Sequence, residues 1–183
     1  FDKDDNRMEV PVDFFKYPIK DSNRLIEEFM LLANISVAKF IYDKFPEISL
    51  LRHHEPPNVG ALKKLLKVLS KHGIEIDVSS SSTISSSMER LTKTPGMNAA
   101  LNLMVSKTMT RAKYFCSDNA EDESDFWHFA LSIPIYTHFT SPIRRYADVL
   151  VHRVLNAALG YEAAPARTPE EVQKLAEICN VQK

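Results

Sequence analysis

Cysteine is scarce in this sequence. There are two, Cys116 and Cys179, in 183 residues, and no C-x-x-C pair. That excludes a zinc ribbon and a disulfide framework and predicts free, buried thiols in a reducing compartment. Long hydrophobic runs are missing as well. No apolar stretch approaches the ~18 residues of a membrane span, so no membrane partner is expected, and the residues after Phe1 do not read as a signal peptide. An excess of charge of either sign is also absent. Lys and Arg number 23 against 24 Asp and Glu, for a net charge of -1. A polyanion would have to be held by a local patch, not by the field of the whole chain.

What is present is a core-forming composition, with 44% apolar and 26% charged residues, long enough to bury a substantial interior. No internal repeat is visible. The opening Phe1 and the helical pattern running into Lys183 suggest a piece of a longer protein. Residues 8–17, MEVPVDFFKY, read as an edge strand weakened by Pro11, preceded by a turn in FDKDDNR. Asp21 or Ser22 is expected to cap a long helix to about Phe45, and its broad apolar face predicts burial. HHEPPN, residues 53–58, reads as a linker. Asn58 should cap a helix through His72, with Leu62, Leu65, Leu66 and Leu69 inward and Gly73 just past its end. IEIDV reads as a short extended piece, SSSSTISSS (79–87) as a flexible surface loop, and Asn98 or Ala99 to about Phe115 as a helix. CSDNAEDESD is an acidic turn, and FWHFALSIPIY (126–136) reads as β-rich. A last helix is predicted from Thr168, with Pro169 at its first position and Glu170 and Glu171 in its first turn.

The stretch HFTSPIRRYADVLVHR, His138 to Arg153, gathers three arginines and two histidines around a Thr-Ser-Pro step. Thr140 or Ser141 reads as an N-cap and Pro142 as the first helical residue, with Ile143, Ala147, Leu150, Val154 and Ala158 as the buried stripe up to Gly160. Unpaired N–H groups, the positive end of the helix dipole and two arginines together make an anion site. Arg144 can grip two oxygens of one phosphate, and Asp148 stands four residues on to hold it. A capped surface helix whose arginines meet only Asp148 and solvent fits this stretch equally well. Glu27 and Glu28 sit in NRLIEEFMLLAN among apolar neighbours. Side chains on adjacent helical residues diverge by about 100°, so at most one faces inward. A salt bridge, to Arg24 or another segment, and a ligand hydroxyl are the two readings, the salt bridge being favoured.

LIEEFMLLAN and YTHFTSPIRRYADVLVHR, about a hundred residues apart, with HFAL (128–131) before the second, resemble the catalytic domain of the ribonuclease II family, the RNB domain. YFC (114–116) and ALGY (158–161) are similar to its eukaryotic cytoplasmic branch. The resemblance spans the chain. It implies that residues 1–183 are the C-terminal part of one RNB domain, with an α/β fold of the α+β kind, helix-rich, carrying a mixed or antiparallel sheet. It implies hydrolytic 3′–5′ digestion of single-stranded RNA to nucleoside monophosphates in the cytoplasm. Arg144 would touch the scissile phosphate. Glu27, or Glu28 as the fallback, would contact the terminal ribose. Thr140 and Ser141 would present the helix start, and Arg145 and His138 complete the RNA-binding set. The family's Mg²⁺ or Mn²⁺ ions are held by aspartates expected outside this chain, in the N-terminal part of the same protein, which is the expected partner. Asp2, Asp4 and Asp5 are rejected as that cluster, being read as a hairpin turn. His53 and His54 read as loop, and His128, His138 and His152 as hydrogen-bonding histidines, not metal ligands. Two other classes stay open: an RNA-binding relative without catalysis, and a helical module binding an acidic partner.

Overall fold

A computed structural model describes residues 13, 15, 17–91 and 95–182. The FDKDDN turn, with Asp2, Asp4 and Asp5, and most of the first expected strand lie outside the described residues. Eight elements follow in chain order: α1 (Asp21–Lys44), β1 (Leu50–His53), α2 (Val59–Lys71), α3 (Ser81–Leu91), α4 (Pro95–Ser106), β2 (Lys113–Cys116), α5 (Tyr146–Ala158) and α6 (Pro169–Val181). Three short 3-10 turns, Ser117–Asn119, Glu123–Phe126 and Phe129–Leu131, lie between β2 and α5. β1 and β2 form an antiparallel pair with Leu50 opposite Cys116 and Arg52 opposite Tyr114. The fold is mixed α/β and helix-rich, as expected.

Helices announced by local caps form where expected. Asn58 accepts the Ala61 N–H at 2.9 Å, and Thr168 caps α6 with Pro169 in its first turn. Gly73 ends α2 at φ +70°, a left-handed conformation that glycine adopts without strain. α1 starts one residue earlier than the Asp21 or Ser22 cap implied. Lys20 is the cap position, and its N–H donates to Asn23 Oδ1 at 2.9 Å.

Five expectations are overturned. HHEPPN is a linker only from Glu55 onward. His53 ends β1, and His54 is buried, with its Nε2 3.0 Å from the Thr110 carbonyl. The serine run is helix α3, not a loop. Ser80 Oγ accepts the Thr83 N–H while Thr83 Oγ1 accepts the Ser80 N–H, both at 3.0 Å, so hydroxyls satisfy the helix start reciprocally. Ile84 and Met88, one turn apart, then bury against α2 and α4. The helix expected to reach Phe115 ends at Ser106, Thr108 Oγ1 donates to the Val105 carbonyl, and Phe115 belongs to β2. IEIDV stays an irregular segment between α2 and α3, but FWHFALSIPIY forms no named strand. In the latter, Phe129–Leu131 is a 3-10 turn closed by Ser132 at φ +57°, leaving isolated bridges from His128 to His54 and Ile133. Finally, α1 is not mostly buried. Only Asn34, Ala38 and Ile41 are buried, whereas Leu25, Ile26, Phe29 and Leu32 are each more than half exposed. The apolar face is real, but its first three turns stand clear of the described elements.

Besides a small cluster of Ala38, Leu51, Phe115 and Ile135, two larger aliphatic cores result. One joins Ile41 of α1, Leu50 of β1, Leu150, Val151 and Val154 of α5 and Val172 of α6. The other is a lobe of α2, α3 and α4, built on Leu65, Leu69, Ile84, Met88, Leu101 and Val105. No described helix is long and apolar enough to cross a membrane. Cys116, buried, and Cys179, partly so, form no disulfide.

Candidate nucleic-acid interface

The arginine motif does not begin as a helix. Residues 141–145 form a turn in which the Arg144 and Arg145 N–H groups donate to the Ser141 carbonyl at 3.3 and 3.2 Å. α5 begins only at Tyr146, with Arg145 as its cap position. The cause is Asp148. Its fully buried carboxylate accepts the Ser141 N–H at 2.7 Å and so pulls the chain back over the first turn of α5. Thr140 and Ser141 therefore do not present a helix N-terminus. Ile143, expected in the buried stripe, sits at the tip of the turn and is 98% exposed.

The same carboxylate fixes the neighbouring arginine. Arg145 Nε and Nη2 donate to Asp148 Oδ2 and Oδ1 at 2.7 and 2.8 Å, a bidentate pair. Asp148 thus holds Arg145, not Arg144. Burial pushes the Asp148 carboxyl up, but the Arg145 and Ser141 donors outweigh it and hold it below the usual carboxylate range. The Arg145 guanidinium is correspondingly held above its ordinary value by that hydrogen bond. Arg144 is left outward, exposed, with one long contact of 3.4 Å to Ser141 Oγ.

Arg144 and Arg145 face a cleft of about 550 Å³ together with Arg52, Tyr114, His138 and Tyr146. Three guanidiniums therefore converge there, and one buried carboxylate offsets them. Tyr114 Oη and His138 Nδ1 are 2.6 Å apart. Burial pushes the Tyr114 phenol up, which keeps its proton in this contact with the imidazole. Arg52 lies 4.8 Å above the Tyr114 ring. The motif is tied to α1 through Asn34, whose Nδ2 donates to Tyr136 Oη at 2.9 Å and whose Oδ1 accepts the Phe139 N–H at 2.8 Å.

Of the residues singled out from sequence, Arg144, Arg145 and His138 line the cleft, and Ser141 supports two of its arms. Thr140 is half-buried beside it and outside the lining. Glu27 and Glu28 are exposed on α1 and outside the lining, with no ion pair to Arg24 among the described residues. Glu27 does share the face of Asn34, two turns earlier along α1, because seven residues bring a helix almost back into phase. Sequence reading missed Arg52, Tyr114 and Asn34. The last two stand inside the quoted YFC and LLAN segments. Arg52 carried a weaker signal, a charge directly after two leucines and just before the segment read as a linker.

Among the described residues no three His, Cys, Asp or Glu side chains converge on a cation site. The cleft itself is lined by cations, so the residues present do not fit a divalent metal.

The chain is a member of the RNB domain family, whose model matches residues 1–161. It is 46% identical over 184 residues to DIS3-like exonuclease 2 of Xenopus tropicalis, covering 98% of this chain and 22% of that protein. It therefore spans about a fifth of that relative's length. Yeast Ssd1, described as a pseudonuclease, superposes with a TM-score of 0.80 at 30% identity, over 88% of this chain and 20% of that one. Mycoplasma genitalium RNase R in complex with double-stranded RNA superposes with a TM-score of 0.70 at 25% identity, over 88% of this chain and 29% of that one.

Proposed function

We propose that this chain is the phosphate-holding part of a 3′–5′ hydrolytic exoribonuclease domain that acts on single-stranded RNA. The observation that carries the reading is the cleft in which Arg144 stands outward while Asp148 immobilises Arg145. A cation fixed by a buried acid acts as a positioned clamp on a diester, and a free neighbouring guanidinium can follow charge as it grows on the phosphoryl oxygens. Arg144 is assigned that second role. Glu27 is assigned the ribose contact in preference to Glu28, because it lies on the α1 face that Asn34 turns toward the motif. Tyr146, half exposed at the cleft, and His138 offer flat faces beside the cations.

The ligands for Mg²⁺ or Mn²⁺ are assigned to residues outside this chain, in the N-terminal part of the same protein. That part is also the proposed occupant of the bare apolar face of α1, an assignment supported by the exposure of Leu25, Ile26, Phe29 and Leu32 and by the fraction of the relative spanned here. When bound, the metals would supply an activated water and charge neutralisation. The cytoplasmic setting is part of the same proposal.

The test is Arg144→Ala in the full-length protein. Turnover of a single-stranded RNA should fall about 10²- to 10³-fold while its Kd stays within a few-fold. Normal turnover would remove Arg144 from the chemistry. The likeness to a pseudonuclease favours a second reading, an RNA-binding relative without catalysis. Release of no nucleoside monophosphate by full-length protein that binds RNA would select it.

A further inference from the structure

Arg52 is held as a ligand-binding arginine is held, yet it lacks the anion that such a side chain needs. It stands on β1, opposite Tyr114 on β2, and its backbone N–H donates to the Tyr136 carbonyl at 2.8 Å. Its guanidinium carbon lies over the Tyr114 ring, 4.8 Å from the centroid. Stacking satisfies the face of a guanidinium and leaves its in-plane N–H groups to find acceptors. The Arg52 Nη1 is buried without a hydrogen-bond partner, and among the described residues no carboxylate pairs with Arg52. Arg145, in the same cleft, has Asp148. A half-buried, unpaired cation facing a second cation is costly to fold around. The missing counter-charge must arrive from outside the described residues.

We infer that Arg52 is a second phosphate contact of the cleft, its fork pre-set by Tyr114 to receive a backbone phosphate of the RNA whose scissile phosphate meets Arg144. The inference rests on the proposed reading of the cleft and goes beyond it. Arg144 acts on the reacting group, whereas Arg52 acts on binding and on the register in which the strand is seated. A purely structural arginine, held by Tyr114 alone, would leave RNA affinity and its salt dependence untouched.

The experiment measures Kd of the full-length protein for a short single-stranded RNA across a series of KCl concentrations. EDTA is present so that the RNA is not consumed. Arg52→Gln should weaken binding roughly tenfold and lower the slope of log K against log salt by about 0.7, the loss of one phosphate contact on a single strand. Arg52→Lys should keep the slope and still lose several-fold in affinity, because an ammonium cannot reproduce the stacked fork. Wild-type Kd and slope in Arg52→Gln overturn the inference and leave the reading of the cleft standing. If Arg52→Gln does not fold, Arg52→Lys decides, and wild-type affinity in that variant overturns the inference. Wild-type protein that fails to bind RNA overturns the reading of the cleft itself.

Discussion

The body around α5 and the lobe of α2, α3 and α4 bury the same kinds of aliphatic side chain, but they differ in what else they bury. The described residues include nine buried polar or charged side chains, of which Ser87 and Thr108 belong to the lobe. The other seven, Asn34, Ser49, His54, Ser117, His128, Thr137 and Asp148, lie in or against the body. Several of them join segments far apart in sequence: Asn34 meets Tyr136 and Phe139, Thr137 donates to the Leu50 carbonyl, and the Ser117 hydroxyl accepts the Ser49 N–H. The lobe's hydroxyls bond mostly to groups three or four residues away, as Ser80 does with Thr83 and Thr108 with Val105. Apolar contacts tolerate small rearrangements, but a buried hydrogen bond is made in one geometry or lost. The body therefore gives up packing freedom for fixed geometry, and the cleft opens on the body. All three of its arginines come from there, while the lobe's Lys63, Lys64, Lys67 and Lys71 point into solvent.

The strongest way to break that contrast is Asp148→Ala. The change leaves Arg145 without its partner and the Ser141 N–H without an acceptor. Removing one member of a buried pair costs about 3–5 kcal/mol. The urea midpoint of the full-length protein should fall accordingly, and RNA affinity should fall with it as Arg145 loses its bearing. A variant with both values intact would mean that the buried pair does not hold the cleft. Acid acts in the same direction. The folded-state pKa of Asp148 is depressed, so its contribution is present above the ordinary carboxylate range and is lost as pH falls through the lower, folded value.

Asn34→Leu is a smaller and sharper test. The side chain keeps its bulk, but Tyr136 Oη loses a donor and the Phe139 N–H its acceptor. The expected cost is about 2 kcal/mol. Amide exchange at Phe139 should accelerate in step with it. If exchange at Phe139 stays slow, the hinge between α1 and the arginine motif is held by the aliphatic contacts of Ile41 and not by Asn34.

The contrast also explains what was legible in the sequence. α2 and α6 could be read because their caps, Asn58 and Thr168, act within three residues. α3 was hidden by its composition, although Ile84 and Met88 carried the helical spacing beneath the serines. β1 and β2 escaped because about sixty residues separate Arg52 from its partner Tyr114, and no local period records such a pairing. The exposure of α1 escaped for another reason. Hydrophobic periodicity says that a face wants cover and is silent about which element supplies it. At the site, Arg144, Arg145 and His138 were legible because one contiguous segment carries them. Their roles were not, since Asp148 reaches back to Ser141 and the helix starts at Tyr146 instead of Pro142. Arg52 comes to the cleft only through strand pairing, the part of the fold that local reading cannot see.

The smallest expected effect tests whether the lobe is independent of the cleft. Asn58 caps α2 by a side-chain contact to the Ala61 N–H, while its own N–H donates to the Thr108 carbonyl at 2.9 Å. Asn58→Ala removes the first bond and keeps the second. A lost cap costs about 1 kcal/mol, visible as a modest drop in thermal midpoint. RNA affinity and its salt dependence should not move, because no lobe residue lines the cleft. A parallel loss of affinity would mean that strain in α2 reaches the site. Phe129, packed on the lobe core, and the hydrogen bond from Ser81 Oγ to the Ala130 carbonyl are links that could carry it. Both enter the body beside His128, whose ring lies 5.4 Å from that of Tyr136, which in turn lies 5.6 Å from that of His138 at the cleft. Unchanged binding in Asn58→Ala would show that this run of rings does not transmit a kilocalorie of strain and that the lobe acts on the body only as a buttress.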